Sequence, residues 1–250
     1  MRLSLSKNMK KIAAISDVHG CVDELKSLYN ALCYLSLDAI WHVGDLLDRG
    51  PDSGGVVAFC RENGIQGVCG NHEHSILSRI KSQANKQNVI FNPAKDQTIA
   101  QLSEADIEYL KDLPRLHVFD DLNTVLVHGG LWPVLPLWAQ PFSIHHLQLI
   151  HKHRYPDSRW WGYDKVHDRT EEQNTADGWH RWYTVHNGAQ RIVYGHSVFR
   201  EPMVVNNTYG IDTGCVYGGK LTAAIISDVE EVKFVQVPAK QAYFIRDPRL

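Results

Sequence analysis

Nowhere in this 250-residue sequence does an apolar run reach the roughly 18 uncharged residues that a membrane span needs. The opening segment MRLSLSKNMKK also lacks the apolar centre of a signal peptide, and Met9 reads as a second start, with residues 1–8 expected to fray. Cysteine is scarce as well. Cys21, Cys33, Cys60, Cys69 and Cys215 are odd in number and show no CxxC spacing, which argues against a disulfide framework and a zinc knuckle. A reducing, cytoplasmic setting is expected. Charge of one sign is not in excess either: 26 Lys and Arg stand against 28 Asp and Glu. The formal net charge of −2 leaves no global footprint for duplex nucleic acid or an anionic membrane, so any anion affinity has to be local. Internal repeats and low-complexity tracts are missing too.

What is present is apolar material for a substantial core, 44% of residues, enough for one large domain or two small ones. A single domain over 1–250 is expected. Short apolar runs recur, and each stops at a polar residue: KIAAIS before Asp17, AIWHVG before Asp45, GIQGVCG before Asn71. Further along, TVLVHGG ends near His128, RIVYGH at His196 and TYGIDTG at Asp212. Runs of this length read as buried strands. Between the first three lie helical patterns, such as Asp23 to Leu35, with Leu25, Leu28, Tyr29 and Leu32 on one face. The N-terminal third therefore reads as β-α-β-α-β, a unit with parallel strands whose ligands gather beyond the strand carboxyl ends.

Pro51, Asp52 and Ser53 suit a helix start. Residues 75–115 are expected to be mostly helical, with Ala100, Leu102, Ile107 and Leu110 as core contacts. Residues 131–190 differ. They hold six of the seven tryptophans and seven of the fourteen histidines, interrupted by Pro133, Pro136, Pro141 and Pro156, and read as an irregular cap. Strand patterns then return, ending in EVKFVQVP and AYFI.

Five segments carry chemistry: Asp17-Val-His19-Gly, Gly44-Asp45-Leu-Leu-Asp48-Arg49-Gly, Gly70-Asn71-His72-Glu73, His128-Gly-Gly and Gly195-His196. Together they offer two carboxylates, one amide oxygen and three imidazoles as metal ligands. Phosphate esters repel nucleophiles, and two cations about 3.5–4 Å apart overcome this by activating a water and neutralising phosphoryl charge. Asp45, after the central strand of the unit, is the candidate bridging ligand. One metal would take Asp17, His19 and Asp45; the other Asp45, Asn71, His128 and His196. Mixed nitrogen and oxygen ligands suit Mn first, with Fe, Zn or Co as alternatives. His72 is the candidate acid, held protonated by Asp48, and Arg49 would grip phosphate oxygens through its planar fork.

These segments resemble the calcineurin-like metallophosphoesterases, and within them the phosphoprotein phosphatase branch, with its GDxHG, GDxxDRG, GNHE, HAG or HGG, and GH motifs. The resemblance is dense from Lys11 to Glu73, at His128, and from Arg191 to Thr222. GIDTGCVYGGKLTA is similar to bacterial serine/threonine phosphatases and dinucleoside tetraphosphatases. Ser16 stands where glycine is usual and Gly129 where alanine is common, and neither change removes a ligand.

The resemblance implies an α/β fold, a calcineurin-like β-sandwich of two mixed sheets flanked by helices. It also implies a second phosphate-binding arginine, placed at Arg154 with Arg159 as the rival, while Asn71 lies beside the phosphate. The expected reaction is hydrolysis of phosphomonoesters of the phosphoserine and phosphothreonine kind by attack of a metal-bridging hydroxide. The alternative substrates are dinucleoside polyphosphates or nucleotide-capped RNA, and a non-catalytic scaffold is the rival of another class. Partners are thus a phosphorylated protein or a nucleotide. Outside the site, His42 and His74 read as structural or solvated, and Cys215 as packing. Trp132, Trp138, Trp160, Trp161, Trp179 and Trp182 read as a small subdomain core, with nucleobase stacking as the second reading.

Overall fold

A computed structural model describes residues 10–87, 90–131, 137 and 190–245. The expected cap tryptophans, Arg154 and Arg159 lie outside the described residues. Strand β1 (Lys11–Ile15) pairs in parallel with β2 (Ala39–His42), which pairs in parallel with β3 (Gln66–Gly67). Helix α1 (Val22–Leu32) links the first two strands and α2 (Ser53–Glu62) the next two. Three more helices follow: α3 (Asn71–Ala84), α4 (Pro93–Ala100) and α5 (Glu104–Lys111). A second sheet is built from β4 (Leu116–Phe119), β5 (Thr124–Val127), β6 (Arg191–Tyr194), β7 (Met203–Val205) and β8 (Thr208–Gly210). The chain then returns to the first sheet through β9 (Lys220–Ser227) and β10 (Lys233–Pro238). The strand orders are β10-β9-β1-β2-β3 and β4-β5-β6-β8-β7, each sheet mixing parallel and antiparallel pairs.

The two-residue alternation of a strand explains why these runs are apolar throughout. On β1, Ala13 and Ile15 pack into the layer of α1 and α2, with Leu25, Leu28, Val56 and Cys60. Ile12 and Ala14 point the other way, into the space between the sheets, with Val43, Phe119, Leu126 and Val193. The outer face of the second sheet buries Val125, Val127, Ile192 and Tyr194 against Leu131 and Phe199. Each sheet is therefore covered on both faces.

Three local expectations need correction. GIQGVCG yields a strand of only two residues, because Cys69 N–H turns away to donate to Pro114 O at 2.7 Å. AYFI is no strand; its backbone meets the rest through one bridge, Tyr217 to Ala242, and two amides on Val216 O. Ala100 ends α4 exposed, and its neighbour Ile99 makes the core contact instead. The helix start at Asp52 is as expected, with its carboxylate accepting from Gly55 N–H at 2.7 Å.

Leu28 is fully buried, whereas Tyr34 is 89% exposed. Leu28→Ala is expected to lower the unfolding free energy by about 2–5 kcal/mol, and Tyr34→Ala to stay within about 0.5 kcal/mol of the parent. Denaturant titration reads both, and similar losses at the two positions would contradict this layering.

Candidate active site at the strand ends

The parallel strands β1 and β2 of one sheet and β5, β6 and β8 of the other all end on the same edge of the sandwich. Asp17, Asp45, His128, His196 and Asp212 follow those ends. Two hydrogen bonds stitch the edge across the sheets. His128 Nδ1–H donates to Val43 O at 2.8 Å, and His196 N–H donates to the Asp17 carboxylate at 3.0 and 3.1 Å. Space there is tight. A Cβ on Gly195 would fall 2.0 Å from Asp17 Oδ1, and Gly44, at φ +101, would put one 2.8 Å from His128 Nδ1.

Side chains in these turns are aimed by unusual backbone. Of the ten non-glycine residues with positive φ among the described residues, five are His19, Asp45, Asp48, Arg49 and His196. Such conformations are strained for ordinary residues and persist only where the surroundings over-determine them. Here Val18 and His19 amides donate to Asp45 O at 3.0 and 2.9 Å, and Gly20 N–H to Leu46 O at 2.8 Å. The Glu73 carboxylate accepts from the amides of Asp45, Leu46 and Gly70, each at 2.8 Å. Asp45 Oδ1 in turn accepts from His72 N–H at 2.9 Å, at the positive N-terminus of α3. Asp45 and Glu73 thus hold each other's loops.

Imidazoles converge on the remaining oxygen. His19 Nδ1–H donates to Leu47 O at 2.8 Å, so its Nε2 lone pair faces inward, 3.8 Å from Asp45 Oδ2. His128, oriented through Val43 O, holds Nε2 3.3 Å from Asp45 Oδ2 and 2.9 Å from Asn71 Oδ1. Asp45, His128 and His196 offer ligand atoms within 4.8 Å of one another, and so do His19, Asp45 and His72. His72, expected as the acid, thus joins His19 and Asp45 in the second cluster. Asp17 lies alongside, engaged with the His196 amide.

A cation fits this donor set, and the structure supplies two stand-ins. Arg49 Nη1 sits 2.6 Å from His19 Nε2, presenting guanidinium charge where that lone pair points. A proton plays the same part at His128: burial opposes its charge, but the Asp45 carboxylate outweighs this and raises its pKa to about 10. Burial lowers His19 to about 3, aided by His72, which leaves it neutral as a ligand must be. Burial works against ionisation of Asp45, yet His128 and His72 hold it well below the usual carboxylate range. Burial and the Asp212 carboxylate push Asp17 well up, and burial raises Asp212 to about 6. Three carboxylates this buried call for positive charge between them.

Beside this centre, His72 Nδ1 and Asp48 Oδ2 are 2.7 Å apart, and Thr98 Oγ1–H donates to Asp48 Oδ1 at 2.6 Å. Burial resists the charge on Asp48, but the His72 and Thr98 hydrogen bonds lower its pKa overall. Sequence reasoning gave no role to Glu73 or Asp212, though both lay inside quoted segments. His42, expected to be structural or solvated, is structural and buried. Tyr109 O–H donates to Ile65 O at 2.8 Å, so His42 Nε2–H must donate to Tyr109 Oη at 3.0 Å, leaving Nδ1 to accept from Gly44 N–H at 3.2 Å. His42 therefore fixes the turn that carries Asp45. Only its wrong polarity for a buried strand end signalled this.

A profile of the calcineurin-like phosphoesterase family matches residues 10–200. The asymmetrical bis(5'-nucleosyl)-tetraphosphatase of Oceanobacillus iheyensis is 29% identical over 256 residues, covering 93% of this chain and 94% of that protein. The symmetrical bis(5'-nucleosyl)-tetraphosphatase of Xanthomonas campestris pv. campestris is 26% identical over 274 residues, covering 91% and 83%. Among solved structures, that of a candidate diadenosine tetraphosphatase is similar with a TM-score of 0.71 at 26% identity, covering 92% of this chain and 94% of the other.

Burial lowers the His42 pKa to about 3, with His128 adding to the effect. The unfolded chain takes up this proton near its ordinary value of 6.5 and the fold does not, so stability is full above that pH and declines as pH falls from there towards 3. Between pH 7.5 and 5 the loss from this group is about 2 kcal/mol. Urea unfolding with a chelator present is expected to show His42→Asn losing less stability over that interval than the parent. Parallel pH profiles for the two proteins would contradict the assignment.

Proposed function

Because the chain belongs to the calcineurin-like phosphoesterase family, we propose that it hydrolyses dinucleoside polyphosphates at a dinuclear metal centre shared across Asp45. The observation that carries this reading is the convergence of the His19 and His128 Nε2 atoms on Asp45 Oδ2, beside the His72–Asp48 pair. Asp17, His19 and Asp45 would hold one divalent cation; Asp45, Asn71, His128 and His196 would hold the other. Manganese suits this mixed donor set first. When bound, the ions supply Lewis-acid charge neutralisation and an activated water. The whole chain acts as one catalytic unit, and its five free cysteines suit a reducing compartment such as the cytoplasm. No helix of the described residues is long and apolar enough to cross a membrane.

The protein's own groups then have separable tasks. Arg49 grips phosphoryl oxygens, its guanidinium lying between His19 and the ring of Tyr217, 5.7 Å from that centroid. His72, with Nδ1–H held by the ionised Asp48, gives the proton on Nε2 to the leaving oxygen. Relatives of both cleavage types are named for a dinucleotide, which favours the nucleotide reading over phosphoserine and phosphothreonine. Tyr217 also lines a cavity of about 310 Å³ with Val198, Ala242, Phe244 and Ile245, a surface suited to a nucleobase.

Incubating the manganese-loaded protein with diadenosine tetraphosphate and, separately, a phosphopeptide is expected to give turnover of the dinucleotide alone. Efficient dephosphorylation of the peptide with an inert dinucleotide would overturn the reading. His72→Asn is expected to slow an alkyl phosphomonoester by about 10²–10⁴. It should slow the anhydride much less, since a phosphate leaving group needs little protonation. Equal losses on both, or loss of metal by elemental analysis, would count against an acid role. Tyr217→Ala is expected to raise KM for the dinucleotide about tenfold, in line with one lost stacking contact, while p-nitrophenyl phosphate kinetics barely change. A common loss on both substrates would mean that Tyr217 acts only through Arg49.

A further inference from the structure

A second cluster of metal-ligating side chains lies outside the centre just described. Cys21 stands at the entrance to α1, Glu24 in the first turn of that helix, and Cys215 in the turn that follows Asp212. Their two sulfurs and one carboxylate oxygen lie within 4.8 Å of one another. All three residues are buried, at 0%, 2% and 1% exposure. Both cysteines belong to the apolar cluster formed with Val18, Leu25 and Val216.

The carboxylate is the informative member. Glu24 Oε1 accepts from Lys240 N–H and from Tyr243 O–H, both at 2.9 Å. Oε2 is buried with no hydrogen-bond partner, and among the described residues Glu24 forms no ion pair. A buried carboxylate oxygen left without a donor is costly, and a cation removes that cost. Two adjacent sulfurs make the preferred cation a soft one. Zinc binds sulfur at about 2.3 Å and carboxylate oxygen at about 2.0–2.2 Å. Around a tetrahedral zinc the two sulfurs stand about 3.8 Å apart and sulfur and oxygen about 3.5 Å, so side-chain rotations that close at most about 1.3 Å bring these three atoms into range.

We propose that Cys21, Glu24 and Cys215 form a structural site for a thiophilic divalent cation, zinc by chemical class, separate from the Asp45 centre. Each thiol gives its proton to solvent as its sulfur coordinates, Glu24 Oε2 is the third ligand, and water completes the tetrahedron. The ion ties the start of α1, two residues beyond His19, to the turn after Asp212 and, through Glu24 Oε1, to residues 240–243. It braces the backbone behind the His19 turn without touching substrate.

Cobalt distinguishes the two centres, because only this one contains sulfur. The full-length protein produced in cobalt-supplemented medium is expected to show a near-ultraviolet sulfur-to-cobalt charge-transfer band. The band should persist in Asp45→Asn, vanish in Cys215→Ser, and require at least tenfold more cobalt in Glu24→Gln. Circular dichroism establishes that each variant is folded, and if Cys215→Ser is not, Cys21→Ser takes its place. The unaltered protein decides the matter by itself in one direction. Visible ligand-field absorption from cobalt without a charge-transfer band would overturn the proposal, as would a band retained after loss of Cys215 or a Cys21–Cys215 disulfide in the purified protein.

Discussion

A single carboxylate oxygen, Asp45 Oδ2, lies within reach of three imidazole nitrogens: His128 Nε2 at 3.3 Å, His19 Nε2 at 3.8 Å and His72 Nε2 at 3.9 Å. Asp45 is 2% exposed, so water does little to support its charge. Lone pairs converging on a buried anion are tolerable only if positive charge stands among them. The neighbourhood is arranged around that requirement. Backbone carbonyls take the Nδ1 protons of His19 and His128, which leaves both Nε2 atoms facing Asp45.

The fold serves this one point by bringing two sheets to a common edge. His19, Asp45, Asp48, Arg49 and His196 all sit in left-handed backbone, at a cost of about 1–3 kcal/mol each for residues other than glycine. Burial of both faces of both sheets, together with the Glu73 carboxylate on three amides, offsets that strain. Strained turns on rigid strands keep ligands at fixed separation with little motion to freeze on binding. The same economy explains the crowding at Gly44 and Gly195, where any side chain would displace a ligand.

Much of this was legible from residue order alone, because strand ends that stop at Asp, Asn or His are a local pattern. Asp17, Asp45, Asn71, His128 and His196 do gather at one edge, and the His72–Asp48 pair is in contact. What escaped was anything decided by pairing across the fold. His72 joins the cluster of His19 and Asp45 because the helix beginning at Asn71 brings its ring to 3.9 Å from Asp45 Oδ2. His42 read as structural or solvated, and the choice between the two is made by Gly44 and Tyr109, partners that meet only in three dimensions. The Cys21–Glu24–Cys215 cluster joins residues nearly two hundred positions apart, beyond any spacing rule.

On the proposed reading, substrate choice rests on what surrounds this core. Arg49 spans from His19 to Tyr217, which lines an apolar cavity of about 310 Å³. The central claim, two cations sharing Asp45, is tested most directly by electron paramagnetic resonance of the manganese-loaded protein. The account predicts an exchange-coupled manganese pair that is lost in Asp45→Asn. Signals of isolated ions alone, at every manganese loading of the unaltered protein, would contradict it.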